Sequence, residues 1–167
     1  MWAYTDVSRK IKLKIHILVN QKAHLKIKRY IQAVNNKCET GGLLLGYRFL
    51  NYFLITEITA TNDAESSSVS FVLNGEKHIE QAEKIIKKYL LKPILLGIWH
   101  SHTHNVIDFS IQDQKSNSIL TSQIGSIIST IVTFSDITKD CNYTSCYIKP
   151  KGKEHFCLTK VIKGILK

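Results

Sequence analysis

The stretch "LLGIWHSHTHNVIDFSIQD", Leu95–Asp113, holds the densest group of metal-binding side chains in the sequence. Its apolar, β-rich lead, "PILLGIWHSH", reads as a buried strand. Residues i and i+2 of a strand point to one side, so His100 and His102 present two imidazoles to one point. Two histidines make half of a zinc site. The third ligand is His104 if the strand continues, or Asp113 if the chain turns back. The polar residues around Asn105 point to a turn. Ser110 and Asp113 form Ser-x-x-Asp, which places Ser110 at a helix N-cap and Asp113 at the third helical position. On the plainer reading this is only a capping box. Yet a helix starting just past a histidine-bearing strand also aims its first-turn carboxylate back at the strand end. Two His and one carboxylate leave a fourth position open for water, as a hydrolytic zinc requires.

Outward from this stretch the elements follow from periodicity. Ile11, Leu13, Ile15 and Ile17 alternate with polar residues as in a half-buried strand. Ala23, Ile27, Tyr30, Ile31 and Val34 share one face of a helix over residues 21–35. "GGLLLGYRF" and "YFLITEITAT" read as two strands around a turn at Leu50 and Asn51, and "TNDAESSS" as a polar loop. Asn74 can cap a helix whose apolar face is Ile79, Ala82, Ile86 and Tyr89. A helix from Ser110 to about Gln123 precedes three more strands, "SIISTIVTF", "YTSCYIK" and "HFCLTKVI". The order predicts an α/β protein with a mixed sheet and helices on its faces.

The 167 residues are 44% hydrophobic, which suits a single domain over 1–167 with its own core. No apolar run is long enough to span a membrane, and the first residues lack the order of a signal peptide, so a soluble, cytoplasmic protein is expected. The net charge is +10, but only Arg9, Arg29 and Arg48 of the 23 basic residues are Arg. A nucleic-acid binder leans more on clustered Arg, so codon bias explains the charge better, with an acidic protein partner as the second reading. Cys38, Cys141, Cys146 and Cys157 form no C-x-x-C pair and are expected as free thiols. Cys141, Cys146, His155 and Cys157 could hold a structural zinc, though their spacing fits no common finger.

A hydrolytic metal needs a base. Glu39, in "CETGGLLLG", is the acidic candidate in the best context, because Gly41 and Gly42 allow the backbone to run close to another segment. A helix C-terminal glycine motif with a solvated Glu explains the same residues. The pattern of a Glu, then His-Ser-His, seven residues, and Ser-x-x-Asp resembles the JAB/MPN metalloprotease family, the JAMM proteases. The apolar "LLGIWHSH" resembles the strand that carries the histidines in that family. His104 lies outside the pattern, where prokaryotic members often have Pro, and reads as an exposed residue or a substrate-side group.

The resemblance implies an MPN/JAB fold: a curved mixed β-sheet sandwiched by helices, with a cytidine deaminase-like layout. It implies one catalytic Zn2+ held by His100, His102 and Asp113. It gives Glu39 the role of general base and Ser110 that of hydrogen-bond donor to the developing oxyanion. The reaction implied is hydrolysis of a peptide or isopeptide bond after the extended C-terminal tail of a ubiquitin-like protein or protein conjugate. Single-domain bacterial members resemble the deconjugating peptidases of anti-phage operons, which implies E1- and E2-like operon partners, while the Arg-poor charge argues against nucleic acid as a partner. Three other readings differ in testable ways. A nucleobase deaminase needs H-x-E and P-C-x-x-C, both absent. A RadC-like, DNA-associated JAB protein would carry Pro in the histidine loop. A non-catalytic MPN scaffold would lack a ligand, and here every motif position is filled.

Overall fold

The structure, a computed structural model, describes residues 14–34, 38–60, 75–103, 106–152 and 154–163. The elements run β1 (His16–Asn20), α1 (Gln21–Ala33), β2 (Gly41–Phe49), β3 (Tyr52–Ile58), α2 (Gly75–Ile86), β4 (Ile94–His102), α3 (Ile111–Ile124), β5 (Ile127–Ser135), β6 (Asp140–Ile148) and β7 (Glu154–Ile162). Val, Ile, Thr and aromatic residues dominate β3 and β5, as a pleated and half-buried surface favours. Asn20 caps α1 by accepting from the Lys22 amide at 2.9 Å. Leu50 turns β2 into β3 with φ at 53°. The first expected strand residues, the 61–68 loop, Asn74, His104 and Asn105 lie outside the described residues.

The expected sheet sandwiched by helices is corrected. The strands close into a barrel in the order β1-β3-β2-β4-β5-β6-β7, and β1 joins the two ends by pairing in parallel with both β3 and β7. Two irregularities of register promote the curl. The β2–β3 ladder slips between Leu45 and Gly46, and the β2–β4 ladder slips between Leu44 and Leu45. An extra residue on one strand bends it and raises its local twist, which is what closure of a sheet needs. A cytidine deaminase-like layout, with an open sheet between helical layers, is therefore not what these strands build.

Alternation along the strands sorts the side chains into cores. Leu44, Ile55, Trp99, Ile128 and Val132 pack in the main core together with Ala23, Ile27 and Ile31 of α1. Their strand neighbours face the other way. Leu43, Leu45 and Ile98 pack with Ala82 and Ile85 of α2. Ile127, Ile131 and Cys146 pack with Phe109 and Leu120 beside α3. The buried face of α2 differs from the expected one. Ile79 is 57% exposed, while His78 is fully buried with Nδ1 2.7 Å from Thr59 Oγ1. The Gly pair that opens β2 serves the close approach foreseen for it and not a helix end. A Cβ on Gly42 would lie 2.1 Å from the Thr59 carbonyl oxygen. The same carbonyl accepts from Trp99 Nε1 at 3.0 Å, so Gly42 lets β2, Thr59 and the histidine strand pack together.

Candidate metal centre

β4 ends at His102. Since Trp99 points into the main core, His100 and His102 project from the opposite face of the strand, toward α3. Ser110 caps α3 by accepting from the Asp113 amide at 3.1 Å, and the Ser110 amide donates to Asp113 Oδ2 at 2.8 Å. This reciprocal capping box fixes the Asp113 carboxylate at the helix start, where the positive end of the helix dipole also favours it. Asp113 Oδ1 lies 3.2 Å from His100 Nε2, and Asp113 Oδ2 lies 3.7 Å from His102 Nε2. The two Nε2 atoms are 2.9 Å apart. Among the described residues this trio is the group of His, Cys, Asp or Glu whose ligand atoms converge within 4.8 Å.

The donor set suits zinc. His102 Nδ1 lies 2.8 Å from the Val106 carbonyl and donates to it, which leaves the Nε2 lone pair turned toward the site. Two imidazole nitrogens on a tetrahedral zinc sit about 3.3 Å apart, so the pair needs to open by only a few tenths of an ångström. Both histidines are buried, and the Asp113 side chain is 19% exposed, so the ligands face a partly dry site with one open side.

Electrostatics follow the geometry. Burial acts to raise the Asp113 carboxyl, but the neighbouring imidazoles of His100 and His102 outweigh it and hold the group well below the usual carboxylate range. The nearby Asp113 carboxylate raises His102 against the opposing effect of burial. Glu39 is half-buried on the approach to β2, and Gly41 pairs with His100 across the β2–β4 ladder. Burial raises the Glu39 carboxyl, while the two histidines pull it down and Asp113 pushes it up. That mutual influence places Glu39 in the field of the three ligands. Ser110 is exposed, its Oγ accepts the capping bond, and its side chain also helps to hold the Asp113 carboxyl low.

The cysteine set does not assemble. Cys141 packs in the main core and Cys146 in the core beside α3, because a spacing of five puts them on opposite faces of β6. Asn117 carries no motif signal, yet it sits one turn beyond Asp113 on α3. It is 2% exposed, and its carboxamide has no hydrogen-bond partner among the described residues.

No protein-family profile matches the sequence, and no curated protein matches it. Among solved structures the fold is similar to that of protein DSY2949 from Desulfitobacterium hafniense, a structural-genomics solution structure. The TM-score is 0.69 at 19% identity, over 89% of this chain and 94% of that one. At this identity the likeness concerns the fold alone. Among the described residues no helix is long and apolar enough to cross a membrane.

Proposed function

We propose that the chain is a zinc-dependent peptidase or isopeptidase of the JAMM type, working in the cytoplasm on the extended C-terminal tail of a ubiquitin-like protein or protein conjugate. The observation that carries this reading is the convergence of His100, His102 and Asp113 on one point, with Glu39 within reach of their charges. His100, His102 and Asp113 would hold the metal. Zinc in such a site supplies Lewis-acid chemistry, making water acidic enough to ionise near neutral pH and polarising a carbonyl. Glu39 takes the proton of the attacking water and delivers it to the leaving amine. The Ser110 hydroxyl donates to the oxyanion that develops on the scissile carbonyl. Val106, by accepting from His102 Nδ1, keeps the imidazole in one tautomer and one orientation.

The site's position favours a tail as substrate. Val106, Ile107 and Ile111 flank the ligands and are 50%, 53% and 73% exposed, which offers apolar contact to an extended segment. The net charge of +10 steers acidic protein bodies toward the enzyme, most strongly at low salt. The test is elemental analysis combined with cleavage of fusions to ubiquitin-like modifiers encoded beside the gene. One zinc per chain, lost in His100→Ala with His102→Ala, and hydrolysis lost in Glu39→Gln with zinc retained, are the expected results. Full zinc retention in the double histidine variant, or normal turnover by Glu39→Gln, would overturn the reading.

A further inference from the structure

The end of the barrel away from His100 and His102 carries a second site with different chemistry. Gly41 of β2 lies beside His100, and Arg48 lies seven residues further along the same strand, about 23 Å away at the usual rise per residue. There, Arg48 borders a cavity of about 860 Å³, a size that suits a small molecule. Phe53, Tyr147 and Phe156 supply its aromatic lining, and Lys14 and Lys149 add two further cations. Among the described residues its lining contains no carboxylate. The Arg48 guanidinium stacks on aromatic rings instead, with its carbon 5.1 Å from the Phe53 centroid and 5.9 Å from that of Tyr147. No ion pair engages Arg48, Lys14 or Lys149 among the described residues.

This combination selects a ligand class. A guanidinium oriented by rings keeps its N–H fork free for a bidentate anion, and two nearby ammonium groups suit an anion with more than one charge. Phe156 is 70% exposed at the rim and offers a ring face on which a planar body can stack. We propose that this mouth of the barrel binds a free nucleoside diphosphate, with its phosphates on Arg48, Lys14 and Lys149 and its base against the aromatic lining. The site is independent of the metal centre, so nucleotide binding neither requires zinc nor reports on the proposed peptidase chemistry.

Titration calorimetry on the full chain tests this with ADP, GDP and UDP as probes, and with adenosine, inorganic pyrophosphate and a 5′-phosphorylated oligonucleotide as comparisons. At least one diphosphate is expected to bind tenfold or more tightly than both adenosine and pyrophosphate. Arg48→Glu and Lys149→Glu should each weaken it at least tenfold, and Phe156→Ala about tenfold, the scale of one lost stacking contact. Lys87→Glu, outside that lining, should leave it unchanged. Binding by none of the three diphosphates would overturn the proposal. So would unchanged affinity in the two charge reversals, equal binding of pyrophosphate, or an equal loss in Lys87→Glu. An oligonucleotide that binds tenfold more tightly than any diphosphate would assign the mouth to a nucleic-acid end and overturn the assignment to a free nucleotide.

Discussion

Thr40 and Ser101 are joined twice. The Thr40 amide donates to Ser101 Oγ at 3.0 Å, and the Ser101 amide donates to the Thr40 carbonyl at 2.7 Å. Both residues are buried. Ser101 sits between the two histidines, and Thr40 directly follows Glu39. The pair therefore fixes the distance between the proposed base and the proposed ligands. Ser101→Ala leaves the buried Thr40 amide without its acceptor, at a cost of about 1–3 kcal/mol. The expected result is a lower melting temperature with zinc retained and kcat reduced more than KM. Recovery of kcat in Ser101→Thr, which restores the hydroxyl, checks that the effect runs through this bond.

Glu57 is the second carboxylate that the fold encloses, with a side chain only 5% exposed. It accepts from Lys22 Nζ and from the Tyr89 hydroxyl, and Lys26 Nζ lies 3.7 Å away, so it ties α1 and the segment after α2 to β3. Burial acts to raise its carboxyl, but the hydrogen bonds from Lys22 and Tyr89 and the charges of Lys22 and Lys26 outweigh burial and lower it. A carboxyl depressed in the folded state contributes stability above its unfolded value and loses it as pH falls through the folded one. Wild-type stability should therefore drop more steeply than that of Glu57→Gln as pH falls below about 5. Melting temperatures of both proteins across pH 7 to 3 check this. Parallel curves would show that Glu57 is not the group that titrates.

Much of this structure was readable from local pattern, and the parts that were not have a common cause. β2, β3, β4 and β5 and helices α1 and α3 lie where alternation, helical spacing and the Ser110 cap place them. The trio His100, His102 and Asp113 was legible because a strand pair and a capping box both act within a few residues. Closure was not legible. It depends on β1, five residues long, lying between β3 and β7, and its contacts with β7 join residues about 140 positions apart. Periodicity within a strand says which face is buried and nothing about which neighbour it takes. On α2 the buried Ala82 lies on the expected face, but Ile79 is exposed and His78 is buried, its bond to Thr59 satisfying it inside the protein. The nearness of Glu39 to β4 was not legible either, because it comes through the Thr40–Ser101 pairing, between residues 61 positions apart.

Asn117 gives a test of the helix behind the ligands. Both atoms of its carboxamide are buried without hydrogen-bond partners among the described residues, which costs free energy in the folded state. Asn117→Leu keeps the branched shape and the number of side-chain heavy atoms and removes that cost. It should stabilise the protein by about 1–2 kcal/mol, raising the melting temperature by roughly 2–6 °C for a chain of this size. A fall in melting temperature would show that the amide is satisfied in solution, by a buried water or by the rest of the chain.

Ser110 carries two roles that substitution can separate. Its Oγ accepts the Asp113 amide as an N-cap, and its hydroxyl proton is proposed to donate to the oxyanion. Glycine at an N-cap costs only a few tenths of a kcal/mol, whereas alanine costs about 1 kcal/mol. Loss of one oxyanion donor lowers kcat by about 10²–10³-fold. Ser110→Gly should therefore keep a near-native melting temperature while kcat on a ubiquitin-like fusion falls by about 10²–10³-fold. Ser110→Ala should show the same loss of rate together with a lower melting temperature. The capping bond also positions Asp113, so zinc content must be measured in both variants. A rate loss that tracks zinc loss would reduce Ser110 to a cap, and a rate loss at full zinc content supports its place in the chemistry.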